Sequence, residues 1–337
     1  MDWNFILFTL IKIVVVIFFA ILPMVAYSVL VERRVSAFIQ DRVGPNRVGP
    51  FGLAQPISDV LKLFLKEDFT PSGVRKTYFW LAPAITLIPA FMTIAVIPFG
   101  SRLGTEPMVI ADLNVGILYT FGIVSLGVYG IVLAGYAANS KYPFLGGIRS
   151  SAQMISYEIS MGMSVVPLFL IVSDLNLSRV IGYQAEHGWL IFHSPISFFI
   201  FLVAAFAETN RLPFDLPESE QELVGGYHTE YSSMKFALYF LSEYANMIAS
   251  SAMMVTLFLG GWTFPGVSQA ANSLGAGFLH IGIFLAKMLL LMLVFIWVRW
   301  MLPRFRYDQL MDLGWKRFIP LALVNIVATA VWLWIRN

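Results

Sequence analysis

Eight stretches of this chain are apolar enough, and long enough, to be read as membrane spans. They lie near residues 4–31, 78–99, 115–138, 151–173, 190–207, 236–259, 280–300 and 317–335. A hydrocarbon core roughly 30 Å thick is crossed by a helix of about 20 residues, and at that depth no water is available to satisfy backbone amides and carbonyls. Each stretch is therefore constrained to be a helix. With 58% of 337 residues hydrophobic and 12% charged, the expected fold class is an all-α integral membrane protein of eight transmembrane helices, forming a single polytopic membrane domain over 1–337. The first stretch, MDWNFILFTLIKIVVVIFFAILPMVAYSVLVERR, is too long for a signal-peptide core. It opens on Asp2 and is followed by basic residues, so it is expected to be an uncleaved span.

The basic residues orient the chain. With the N-terminus outside, Arg102, Arg179 and Arg336 fall on the outer side and Lys12 and Lys287 within spans, leaving 17 of the 22 Lys and Arg residues on the inner side. The positive-inside rule then places both termini on the outer side of the membrane. Loops 32–77 and 207–235 are the expected functional cytoplasmic loops. No repeat of fixed period and no similarity between the two halves is visible.

Composition also excludes. The chain has no cysteine and four scattered histidines, His187, His193, His228 and His280. No metal or iron–sulfur ligands are expected in it, and any redox centre belongs on a partner. Basic residues form no long tract interleaved with aromatics, which leaves nucleic-acid binding without support.

In loop 32–77 the pairs Gly44-Pro45 and Gly49-Pro50 bracket a turn that holds Arg42 and Arg47 at a bend. Beyond it Ile57, Leu61, Phe64 and Leu65 recur on one side of a helical repeat, with Ser58, Asp59, Lys62 and Lys66 on the other. That pattern predicts an amphipathic helix at the membrane surface. Glu32, Arg33 and Arg34 lie at the inner end of the first span. Ordinary flanking charges and the polar lining of a site both account for them.

Three carboxylates fall at membrane depth. Glu158 lies inside the fourth span, Glu243 inside the sixth with Tyr244 beside it, and Glu208 closes the fifth. A carboxylate at a central helix position costs about 2.5 kcal/mol or more, so it is expected to face the bundle interior or water. The bland reading pairs Glu158 with a buried donor such as Lys287. The functional one makes the three a proton relay.

The loop after the fifth span is the most acidic part of the chain. Glu208, Asp215, Glu218, Glu220, Glu222 and Glu230 fall within 23 positions of AETNRLPFDLPESEQELVGGYHTEY. Pro213, Pro217 and Gly225-Gly226 limit any helix there to a short one near Glu218 to Leu223. A solvated acidic face is one reading of such a run, but charges this dense raise one another's proton affinity.

Four segments of the chain resemble a known family. The run AETNRLPFDLPESEQELVGGYHTEYSSMKF, the turn RVGPNRVGPFGLAQPISDVLKLFLKE, the span QMISYE and the segment PRFRYDQLMDLGWK, which together extend from about residue 32 to residue 317, each resemble the H-subunit family of bacterial NADH–quinone oxidoreductase, which corresponds to subunit 1 of mitochondrial complex I. The resemblance implies a membrane subunit at the junction of the electron-transfer and proton-pumping arms, with quinone as substrate. Its implied partners are other complex I subunits: the iron–sulfur and quinone-site subunits of the peripheral arm and neighbouring small membrane subunits, together with the lipid bilayer. By the same resemblance Glu32, Arg33, Arg42, Asp59 and Arg299 look like the polar lining of the quinone tunnel, with Phe240 and Tyr244 near it. Asp215, Glu218, Glu220 and Glu222 look like a mobile segment beneath the quinone headgroup, and Glu208, Glu243 and Glu158 like the start of a proton axis. Span three departs from some relatives in holding no ionisable residue. The competing assignments are the membrane anchor of an energy-converting hydrogenase, an ion-coupled transporter and a purely structural scaffold.

Overall fold

The structure, a computed structural model, describes residues 3–103, 106–217, 220–267 and 274–336, without the side chains of residues 3–5, 220 and 221. The chain begins as a long helical rod. Helix α1 (Trp3–Val15) passes through a π-helical segment (Val16–Ile21) into α2 (Leu22–Ile39). The bend residues that follow lead into α3 (Gln55–Leu65), then α4 (Lys76–Ile94), a two-residue hairpin of β1 (Arg102–Leu103) and β2 (Glu106–Pro107), and α5 (Gly116–Ala137). Next come α6 (Lys141–Val172), α7 (Leu177–His187), α8 (Leu190–His193), α9 (Pro195–Glu208) and the one-turn α10 (Glu220–Leu223). Helices α11 (Ser233–Phe258), α12 (Leu274–Met301), α13 (Tyr307–Asp312) and α14 (Ile319–Arg336) complete the fold, with a π-helical segment (Leu313–Phe318) joining the last two.

Six helices among the described residues are long and apolar enough to cross a membrane: Ile6–Ile39, Lys76–Ile94, Gly116–Ala137, Lys141–Val172, Leu274–Met301 and Tyr307–Arg336. The chain is thus an all-α, multi-pass membrane protein. Two of the eight expected spans are not among these six. The fifth is broken, because Pro195 restarts the helix after Ser194 and leaves a 14-residue α9. The sixth, α11, is 26 residues long but carries Lys235, Glu243 and a series of serines, which lower its apolarity. The fourth starts ten residues earlier than expected, at Lys141, which puts Glu158 at the middle of α6.

Packing follows the logic of a membrane bundle. Large apolar side chains point outward on the first and last helices, with Phe18, Phe19, Val327, Trp334 and Ile335 all exposed. Small and polar groups are inside: Ser150, Gln153, Ser160, Ser164, Ser197, Ser251 and Thr256 are fully buried. Several of these hydroxyls donate to the carbonyl one turn earlier, as Thr256 does to Ala252 at 2.9 Å, which satisfies them without a partner helix. Where α4 meets α5 the backbones approach closely at Gly130, because a Cβ there would meet the Thr86 hydroxyl and lie 2.7 Å from the Thr86 nitrogen. Ser242 of α11 donates to the Thr86 carbonyl at 2.9 Å, so the same point of α4 is gripped from both sides.

Overpacking at such a contact costs about 1–3 kcal/mol. Gly130→Val is therefore expected to lower the steady-state amount of the chain in membranes, measured by immunoblot. Gly122→Ala, on the same helix but with nothing within 4 Å of its Cβ, should leave that amount unchanged.

Candidate functional site

Four elements converge on one carboxylate. Glu32, in the C-terminal half of α2, is 5% exposed. Its Oε2 accepts from Arg211 Nη1 at 2.8 Å and from the Tyr244 hydroxyl at 2.7 Å, and its Oε1 pairs with Arg299 Nη1. Arg211 comes from the loop after α9, Tyr244 from α11 and Arg299 from the end of α12.

Arg211 extends the cluster. It is 1% exposed, its Nε lies 2.8 Å from Glu243 Oε1, and its guanidinium carbon stands 4.2 Å from the centre of the Tyr244 ring. Burial works against the Arg211 charge, but the carboxylates of Glu243 and Glu32 more than reverse this and raise its pKa above the ordinary guanidinium value. Two carboxylates and two guanidiniums balance. Removing one member of a buried set like this leaves an uncompensated charge, at a cost of about 3–5 kcal/mol. Phe240 packs against Tyr244 with ring centres 4.9 Å apart and remains partly exposed at the rim.

A second ion pair lies beside the first. Arg33 Nη1 donates to Asp59 Oδ2 at 2.7 Å, and Gln55 Nε2 donates to Asp59 Oδ1 at 3.0 Å, which ties α3 to α2. The apolar side of α3 is then left outward, with Ile57, Leu61, Phe64 and Leu65 all exposed. Arg42 stands apart from these pairs, its Nε donating to Gln40 at 2.7 Å on the exposed bend.

On the other side of Arg211 the carboxylates continue inward. Glu243 and Glu208 line the same cavity of about 30 Å³, together with Thr209, Asn210, Tyr227 and Tyr239, and that volume is enough for a water molecule. Glu208 is buried, and its Oε2 has no hydrogen-bond partner among the described residues. Glu158 lies within electrostatic reach of Glu208 and accepts a hydrogen bond from Ser125 of α5. The expected alternative pairing of Glu158 with Lys287 is not what forms: Lys287 donates to the carbonyls of Leu259, Gly261 and Thr263.

The acidic loop is fastened at several points. Gln153 Nε2, fully buried on α6, donates to the carbonyls of Ala207 at 2.7 Å and Phe214 at 2.8 Å. Asp215 pairs with Arg304 Nη2 at 2.9 Å, the Phe305 amide donates to the Pro213 carbonyl at 3.1 Å, and Phe214 stacks on Phe305. Glu222 pairs with Arg149 of α6 at 2.8 Å. Glu218 and the side chain of Glu220 fall outside the described residues. Asp215 and Glu222 therefore turn to separate partners and do not share one acidic face.

The structure thus unites Glu32, Arg299, Tyr244 and Glu243 at one centre, with Phe240 at its edge. It sets Arg33 and Asp59 beside that centre, and Glu208 and Glu158 beyond it. Sequence reasoning missed Arg211, counting it only as an inner-loop cation. One signal was available: Arg211 is the single Lys or Arg among the six carboxylates between 208 and 230. Ser125 carried no signal, since a serine within an apolar run is usually a satisfied packing residue.

Comparison with known proteins agrees with the resemblance read from the motifs. A family model described as NADH dehydrogenase matches residues 11–330. The chain is 49% identical to the NADH-quinone oxidoreductase H subunit 1 of Cytophaga hutchinsonii and 51% identical to the H subunit 1 of Geobacter metallireducens, each over 94% of both chains. It is 48% identical to the NADH-quinone oxidoreductase H subunit of Leptospira biflexa over 98% of this chain and 96% of that one. Matches of this length, over a polar cluster built from four separate elements, show that the chain belongs to the H-subunit family of NADH-quinone oxidoreductase.

Proposed function

We infer that this chain is the membrane subunit of a proton-translocating NADH:quinone oxidoreductase that lines much of a quinone-binding tunnel and couples quinone reduction to proton movement. The observation that carries the reading is the buried chain Glu32–Arg211–Glu243. It joins polar groups beside an exposed apolar helix to a row of carboxylates at membrane depth.

In this reading the chain forms one polytopic domain of eight spans in the bacterial inner membrane. Helices α8 and α9 together make the fifth and α11 the sixth, and both termini are periplasmic. Helix α3 lies in the interface with its apolar side in lipid. Loops 32–77 and 207–235 face the cytoplasm, where iron–sulfur and quinone-site subunits of the peripheral arm dock, and neighbouring small membrane subunits cover further apolar faces. The electrons come from such a partner, and no redox centre belongs to this chain.

Arg33, Asp59 and Arg299 line the polar part of the tunnel, with Phe240 offering a ring face to a quinone headgroup and the buried Tyr244 packed behind it. Arg42 lies at the cytoplasmic bend, where a partner would complete the lining. Reducing a quinone by two electrons calls for two protons in a chamber shut off from bulk water. A carboxylate that gives up or gains a proton changes the field at its neighbours, and buried neighbours feel that change strongly. Glu32 is joined to Glu243 through one rigid guanidinium, so a change at the tunnel reaches Glu243 directly. Water in the adjoining cavity gives Glu243 and Glu208 a path for a proton, and Glu158 takes up the charge change beyond Glu208. Asp215, Glu218, Glu220 and Glu222 sense the headgroup from below.

The reading is tested by purifying the tagged chain in mild detergent, identifying what comes with it and assaying NADH-driven quinone reduction. Iron–sulfur subunits with inhibitor-sensitive activity are expected. A nickel hydrogenase partner, or a chain that purifies alone and transports ions, would contradict it.

Two substitutions probe the cluster. Arg211→Met leaves Glu32 and Glu243 without their shared cation, at a cost of about 3–5 kcal/mol. Assembly and quinone reduction should both fall at least tenfold, as judged by native gels and turnover. Lys316→Met breaks the exposed Lys316–Asp312 pair, worth at most about 1 kcal/mol, and should change neither. Glu208→Gln keeps shape and burial but removes the titratable group, so protons moved per NADH oxidised should drop in inverted vesicles while the complex still assembles. An unchanged ratio would remove Glu208 from the relay.

A further inference from the structure

Lys287 stands on α12 twelve residues from Arg299, roughly 18 Å along the helix, where α12 passes the turn that closes α11. Its Nζ donates to the carbonyl oxygens of Leu259 at 2.6 Å, Gly261 at 3.0 Å and Thr263 at 2.6 Å, and lies 4.7 Å from the centre of the Trp189 ring. An ammonium group has three N–H donors, and here three carbonyls take them. The Trp189 ring face adds a cation–π contact. The carbonyls at the end of α11 also carry the negative end of its dipole.

The turn is shaped for this independently of the lysine. Gly260 and Gly261 adopt φ of +71° and +55°, conformations that glycine reaches without penalty. A Cβ at Gly260 would fall 2.6 Å from the Thr263 hydroxyl and 2.8 Å from Trp189, and one at Gly261 would fall 2.5 Å from Ile181. Gln184 of α7, itself buried, accepts from the Gly260 amide at 2.9 Å and donates to the Thr256 carbonyl at 2.9 Å. The Thr263 hydroxyl donates to the Gly260 carbonyl at 2.7 Å, and the Gly261 amide to the Val255 carbonyl at 2.8 Å. Amides and side chains of the turn are thus engaged around it, while the carbonyls of 259, 261 and 263 converge on one point.

We propose that the 259–263 turn is a primary-ammonium site whose occupant is the chain's own Lys287, and that this attachment sets the register of α12 against α11. The register matters because α11 supplies Glu243 and Tyr244 to the Glu32 cluster and α12 supplies Arg299. A slide of one helix along the other would pull Arg299 out of reach of Glu32. Lys287 is in this sense a positioning residue for the cluster, acting from the middle of α12 on the far end of α11. The consequence for quinone rests on the functional reading above, whereas the ammonium site does not.

The test uses the purified whole complex carrying Lys287→Ala, Lys287→Met or Lys287→Arg. Thermal release of the subunit and the quinone KM and kcat are measured with and without propylammonium, the fragment that the alanine substitution removes. Lys287→Ala is expected to lower the release midpoint and raise quinone KM several-fold, with kcat little changed. Propylammonium should restore both, tetramethylammonium at matched ionic strength should restore neither because it has no N–H to donate, and Lys287→Arg should recover part of each. A Lys287→Met complex with wild-type midpoint and KM, or equal rescue by both ammonium ions, would overturn the site. A lowered midpoint rescued by propylammonium alone, with quinone KM unmoved, would overturn the register claim. A wild-type complex that does not reduce quinone would count against the functional reading, and the midpoint measurements would then decide the ammonium site by themselves.

Discussion

Arg211 is a fully buried guanidinium held between two carboxylates, Glu32 at 2.8 Å and Glu243 at 2.8 Å, with the Tyr244 ring under its plane. Such an arrangement is expensive to build and more expensive to interrupt, because each charge depends on the others for compensation. Much of the surrounding fold serves to hold it. The loop bearing Arg211 is stitched to α6 by Gln153 and to the connection after α12 by Asp215–Arg304 and the Phe305 amide. The carboxylate of Glu32 is brought in by the rod of α1 and α2, and Glu243 and Tyr244 by α11.

This frame explains why the polar residues of so apolar a chain are concentrated. Buried serines and threonines on the spans largely satisfy themselves within their own helices, which lets helices approach closely without specific partners. The cluster instead gathers charges where opposite signs meet, at Glu32, Arg211, Glu243 and Arg299. Beyond them Glu208 faces the small cavity that Glu243 also lines, and the Ser125–Glu158 hydrogen bond is the next polar contact. Under the proposed function, this row offers a proton a short sequence of side chains.

The helical membrane architecture was legible from hydrophobic run lengths, since bilayer thickness and backbone hydrogen bonding leave few alternatives. Run length failed where a single residue decides the outcome. Pro195 breaks the fifth run after Ser194, and α6 already begins at Lys141, where charge suggested a loop. Glu32, Glu243 and Arg299 stood out because a charge near an apolar span has to be explained. Arg211 did not, because a loop arginine on the inner side fits the positive-inside pattern without further cause. Its burial depends on the loop folding back under α2 and α11, a long-range contact that no local pattern records. The three carbonyl partners of Lys287 were hidden for the same reason, since backbone acceptors leave no trace in sequence beyond the two glycines that expose them.

The claim that the buried bridge links tunnel and proton row is tested most directly by a double-substitution cycle between Glu32 and Glu243. Glu32→Gln, Glu243→Gln and the pair would be compared in the assembled complex for the rate of quinone-driven proton translocation. If Arg211 couples the two sites, the pair should lose markedly less than the two single losses combined, by an interaction of about 1 kcal/mol or more. Strict additivity, with each carboxylate acting as though the other were absent, would contradict the account.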